Sequence, residues 1–157
     1  MTAHDAEELI ARPKEIYDGA IPSGNSASAM ALERLAGLTG ELSLREAADR
    51  QHGFLAGQIK EYPSGYCYAL LSMSESLYPH KELLFTGSRI PDDIKKYIKA
   101  KPSHDLSILY KSAENEKELA KLAPFTKNYP VTDSSVFYLC GNGTCHAPES
   151  DFYQLPL

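Results

Sequence analysis

The sequence predicts a mixed α+β protein: antiparallel helices followed by a small three-stranded, mainly parallel α/β layer. Three observations predict it. Apolar residues recur at helical spacing through residues 25–78. After Pro79-His80 the period gives way to three short apolar runs: Glu-Leu-Leu-Phe-Thr (82–86), Leu-Ser-Ile-Leu-Tyr (106–110) and Val-Phe-Tyr-Leu-Cys (136–140). Between these runs stand two helix-start signals, the alternation expected of strand–helix–strand units. The boundary therefore falls near residue 80, with a helical segment over 1–80 and an α/β segment over 81–157.

The first 27 residues are punctuated by Pro13, Gly19, Pro22 and Gly24 and hold no sustained helical period. A first helix opens near Asn25 or Ser26, both good N-caps, presents Ala31, Leu35 and Leu38, and ends at Thr39-Gly40. Ser43-Leu-Arg-Glu46 reads as a capping box for a second helix facing inward with Leu44, Ala47, Ala48, Phe54 or Leu55, and Ile59. Pro63 suits the first turn of a third, whose stripe is Tyr66, Leu70, Met73 and Leu77. Short loops between consecutive helices imply antiparallel neighbours. In the second segment Pro91-Asp92-Asp93 opens a helix with Ile94, Tyr97 and Ile98 inward and lysines outward, and Asn115-Glu-Lys-Glu118 opens another carrying Leu119 and Leu122. Both layers are thin, which reads as a piece of a longer chain.

With 43% hydrophobic and 24% charged residues, no tryptophan and ten tyrosines, the composition is that of a globular domain. Sixteen basic against 21 acidic residues leave a formal charge of −5, so no nucleic-acid partner is expected. No apolar run approaches the ~18 residues of a membrane span, so no membrane partner is expected either. Residues 1–10 carry three acidic side chains and no apolar core of a signal peptide. Three cysteines are too few for a disulfide scaffold, which points to the cytoplasm. No cofactor fingerprint is present.

Two constellations carry chemistry. Asp18-Gly-Ala-Ile-Pro-Ser-Gly-Asn-Ser26 precedes a helix N-terminus, where backbone N–H groups, the hydroxyls of Ser23 and Ser26 and the Asn25 amide converge on the positive end of the dipole. That suits an anionic or polyhydroxylated ligand, with Asp18 as the proton-transfer group. The plain alternative is a capped helix behind a turn. The segment lacks the lysine and spacing of a P-loop. In Cys140-Gly-Asn-Gly-Thr-Cys145 the Asn142-Gly143 pair is a strong two-residue turn that sets Cys140 opposite Cys145, with Cα atoms ~4.5 Å apart. The pair is then a redox site, a docking element, or two structural thiols. A metal reading using His146 lacks a fourth ligand, and no metal site is expected.

Three segments together resemble a family. These are Glu7-Glu-Leu-Ile-Ala-Arg-Pro-Lys-Glu-Ile-Tyr-Asp-Gly-Ala-Ile-Pro-Ser-Gly-Asn-Ser26 with the Ala-Leu-x-Arg-Leu-Ala-x-Leu-Thr-Gly40 helix after it, the α/β stretch, and Cys140-x-x-x-x-Cys145 with Ala147-Pro148. They are similar to the C-terminal part of the thioredoxin-domain-containing proteins related to the spermatogenesis-associated thioredoxin-like protein. Such proteins join a thioredoxin-like domain to an α/α-toroid similar to N-acylglucosamine 2-epimerases. The thioredoxin domain and most of the toroid are absent from this chain, so the redox label does not carry over. The resemblance implies that Tyr17, Asp18, Ser23, Asn25 and Ser26 look into the toroid's centre toward a carbohydrate-like small molecule. It implies a carbohydrate-active, isomerase-like parent whose isolated C-terminal piece is inactive. The natural partner of the piece is then the missing N-terminal part of its own chain, and uncovered helix faces would drive it to homo-oligomerise. The alternative is a non-enzymatic redox-sensing or partner-docking module built on Cys140 and Cys145.

Overall fold

A computed structural model describes residues 15–78, 80–100, 105–141 and 143–157. The class is mixed α+β, helices first and a small sheet second. The chain forms two compact units, one holding the helices up to Leu77 apart from residues 37–40, the other holding Gly37–Gly40 and Tyr78–Leu157.

The first unit contains α1 (Gly24–Thr39), α2 (Leu42–Ile59) and α3 (Cys67–Leu77), the last entered through a 3-10 turn at Pro63–Tyr66. Pro63 sits at the start of that turn, where its missing N–H is not needed. Gly40 ends α1 with φ +68°, a left-handed conformation that glycine takes without a Cβ clash. Three local expectations are corrected. The cap of α1 is Ser23, whose hydroxyl accepts from the Ser26 N–H at 3.1 Å, so Asn25 and Ser26 lie inside the first turn. Ser43 is no capping box; it stands inside α2 and donates to Glu41. The buried face of α1 is Ser26, Ala29, Met30, Glu33 and Ala36, while Ala31 and Leu35 are exposed. Small alanines let the neighbouring backbones approach, and a paired Glu33 holds that face inward against the more apolar stripe.

The second unit is a four-stranded sheet in the order β2-β1-β3-β4, from β1 (Lys81–Thr86), β2 (Leu106–Lys111), β3 (Val136–Gly141) and the two-residue β4 (Thr144–Cys145). β1 and β2 are parallel, joined through α4 (Asp92–Ala100). β3 runs antiparallel to β1, and β4 antiparallel to β3, so in the layer expected to be mainly parallel one pair is parallel and a fourth, two-residue strand is added. Between β2 and β3 the chain passes through α5 (Glu116–Leu122) and the 3-10 turn Pro124–Asn128, and β3 starts at the end of the sheet where β2 stops.

Side chains alternate across the sheet. Leu83, Phe85, Phe137 and Leu139 join Ile94, Phe152 and Leu155 in one apolar cluster, with Tyr97 and Ile98 of α4 packed against it. Lys111 of β2 reaches the 3-10 turn Pro124–Asn128 and the residue after it, donating to the Thr126 and Tyr129 carbonyls. Tyr138 of β3, whose side chain opposes Phe137 and Leu139 in the alternation, meets the Tyr129 ring.

Candidate functional site

The irregular segment before α1 is folded around one carboxylate. Asp18 Oδ1 accepts from the Ser23 N–H at 2.8 Å. Its Oδ2 accepts from the N–H groups of Tyr68 and Ala69, at 2.9 and 3.1 Å, in the first turn of α3. The Asp18 N–H in turn donates to the Gly65 carbonyl at 2.8 Å. One side chain thus satisfies orphan donors at a helix start and clasps the loop to α3. Burial pushes its pKa up, but the hydrogen bonds from Ser23, Ser26, Ala69 and Tyr68 outweigh this and hold it below the ordinary carboxylate value. An ionised carboxylate accepting from three backbone donors is suited to anchor the loop, which weighs against the proton-transfer role expected of Asp18.

The other candidates are likewise engaged. The hydroxyls of Ser23 and Ser26 lie 2.9 Å apart, both buried. Asn25 donates to the Glu15 carbonyl and accepts from Gln51. At this helix start the N–H groups of Ser23, Ser26 and Ala27 are taken up internally, and the Asp18 charge repels an anion. What the loop does offer is an open cleft of about 550 Å³ lined by residues 15–17 and 19–24, with Ser23 but not Asp18 on its wall. Of the residues the resemblance pointed inward, Tyr17 is the one whose side chain is free to meet a ligand, being 53% exposed. Its ring lies parallel to that of Tyr62, itself 56% exposed, with 6.4 Å between centroids and 4° between planes. Tyr66 meets Tyr17 edge-on. Gly65 makes the cluster possible: a Cβ there would come within 2.6 Å of the Tyr17 ring and 2.7 Å of the Tyr62 ring.

Behind the loop, the helical unit carries buried charge. Glu33 of α1 binds Arg45 of α2 through both oxygens, at 2.6 and 2.7 Å. His52 stands 3.9 Å from Glu33 and 2.8 Å from the fully buried Ser72 hydroxyl. Glu75 of α3 takes a bidentate pair from Arg34, at 2.7 and 3.1 Å. Burial pushes the His52 pKa down, as does Arg45, against the opposing pull of Glu33 and Asp49.

In the sheet unit Cys140 and Cys145 stand opposite each other in the β3–β4 register, Cα atoms 3.9 Å apart, and are joined by a disulfide. Gly143 takes φ +72°, the conformation the turn requires, and Asn142 lies outside the described residues. Cys140 is buried and Cys145 exposed. Among the described residues no three His, Cys, Asp or Glu side chains gather as metal ligands, and no helix is long and apolar enough to cross a membrane.

No family model, curated protein or solved structure matches the chain.

Sequence reasoning missed Tyr62, Gly65, Glu33, His52 and Tyr129. The Tyr-Pro-Ser-Gly-Tyr66 string was a usable signal, because glycine between tyrosines in a tight turn invites ring contact across the missing side chain. The charges gave none, since Glu33, Arg45 and His52 come together only when α1 and α2 pack.

Proposed function

We propose that this chain is the C-terminal part of a toroid-type, sugar-epimerase-like protein, and that its helical unit supplies one wall of a site for a carbohydrate-like molecule. The observation that carries the reading is the cleft before α1, held open by the Asp18 clasp and flanked by the exposed, parallel Tyr17–Tyr62 pair. A pyranose presents an apolar C–H face to an aromatic ring and a rim of hydroxyls to carbonyls and carboxylates. The Tyr17 ring meets the first need, and Glu15 with the loop backbone meets the second. Asp18 shapes the wall and does not move the proton. Outward apolar side chains on the helices, Leu35, Leu42, Phe54, Leu70 and Leu77, support the same reading. Neighbouring helices of a toroid would cover such faces, and without them a second copy of the chain is the available cover.

Titration of the full chain with N-acetylglucosamine at millimolar concentration, followed by backbone amide resonances, tests this. Saturable shifts confined to residues 15–24 and 62–66, and lost in Tyr17→Ala, are expected. Absence of saturable shifts, or shifts that survive Tyr17→Ala, would overturn the reading.

A further inference from the structure

We propose that the Cys140–Cys145 bridge is a thiol–disulfide exchange site, opened by a dithiol reductant at the sulfur of Cys145 and assisted by the Tyr129 hydroxyl. The two sulfurs are not equivalent. Cys140 lies on β3 with 6% of its surface exposed, whereas Cys145 lies on the two-residue edge strand β4 and faces solvent. An incoming thiolate can therefore reach Cys145 Sγ, and Cys140 is the leaving sulfur.

Tyr129 stands at both atoms. Its hydroxyl donates to Cys145 Sγ at 2.8 Å and lies 3.9 Å from Cys140 Sγ. The residue is held from two other sides, by the buried Lys111 ammonium donating to its carbonyl at 2.6 Å and by the Tyr138 ring with centroids 4.4 Å apart. A hydroxyl so placed needs only to turn from one sulfur toward the other as the bond breaks, giving a hydrogen bond to the developing thiolate.

The steps balance. The first thiolate of the reductant bonds to Cys145 Sγ, the S–S bond breaks, and its electron pair leaves on Cys140 Sγ, which takes a proton from water while Tyr129 donates to it. The second thiolate of the reductant then attacks its own sulfur in the mixed disulfide, and Cys145 leaves as a thiolate that is protonated in turn. The reductant is oxidised to its disulfide, and two electrons and two protons end on Cys140 and Cys145. The chain beyond β4 stays attached, because Phe137 and Glu149 exchange both backbone hydrogen bonds and Phe152 remains in the core. Opening the bridge thus releases the hairpin tip and leaves the sheet folded.

The test uses the full chain carrying Cys67→Ser, which removes the free exposed thiol. Treated with glutathione and quenched with iodoacetamide, the native protein is expected to carry glutathione on Cys145 and the alkyl group on Cys140, located by peptide fragmentation. Dithiothreitol is expected to open the bridge without loss of the sheet signal in circular dichroism. Tyr129→Phe, with an unchanged thermal midpoint, should slow that reduction roughly tenfold, the size of one hydrogen bond to a charged group. A bridge that opens only in denaturant, glutathione on Cys140, a Tyr129→Phe rate equal to the parent's, or cysteines that stay free under mild oxidation would each overturn the proposal.

Discussion

In the sheet unit seven buried apolar side chains, from Leu83 to Leu155, close on one another, and partly buried neighbours from α4, β2 and the loop before α4 pack against them. The buried apolar cluster of the helical unit is Ala29, Leu55, Ile59 and Ala69, half of it alanine. Its interior also holds Ser23, Ser26, Glu33, Ser72 and Glu75, and several of its large apolar residues, Ile21, Leu42 and Leu77 among them, face outward. The first unit in the sequence thus leans more on directional polar contacts, the second more on apolar burial, its own buried polar groups Thr86, Lys111 and Thr126 notwithstanding. A polar interior specifies one arrangement of helices but contributes little net stability, because each pair must first be taken out of water.

The largest effect should come from the apolar side. Phe137→Ala empties the centre of the sheet core and is expected to cost about 3–5 kcal/mol, more than Leu55→Ala in the helical unit, as chemical denaturation with a probe for each unit will read. A larger loss for Leu55→Ala would break the comparison. Next in size is Glu75→Gln. The Glu75 side chain is 1% exposed while Arg34 is 43% exposed and can turn to water, so the expected loss is about 2 kcal/mol, confined to the helical signal.

Asp18→Ala should cost about 1–2 kcal/mol through the lost helix clasp, and it should raise amide hydrogen exchange at Ser23, Tyr68 and Ala69. The pH dependence follows from the sign of the shift. The folded pKa of Asp18 lies below its unfolded value, so its stabilisation is complete above the unfolded pKa and disappears as pH falls through the folded one. Asp18→Asn should flatten that acid limb, and a limb of unchanged steepness would remove Asp18 from the account.

The smallest effect belongs to His52. Its folded pKa also lies below the unfolded value of 6.5, so the neutral ring favours the folded state. Stability of the helical unit should decline as pH falls below about 6.5 and level off beneath the folded pKa. In His52→Gln the decline should vanish in thermal melts taken between neutral and mildly acidic pH. Its persistence would place the titrating group elsewhere.

Local periodicity in the sequence determined a good deal by itself. The runs at 82–86, 106–110 and 136–140 are strands, and Ile94, Tyr97 and Ile98 line the buried face of α4, because a two- or three-to-four-residue period depends only on neighbours along the chain. The facing of Cys140 and Cys145 was legible for the same reason, a two-residue turn fixing its flanking pairs. The tertiary structure alone decided the rest. The outward turn of Leu35 depends on Glu33 finding Arg45, twelve residues away on α2. The direction of β3 depends on the path of the chain through α5 and the 3-10 turn after it, which the strand pattern does not encode. Asp18 became a clasp because α3 brought two backbone N–H groups to it from fifty residues downstream, and no spacing near Asp18 encodes their arrival.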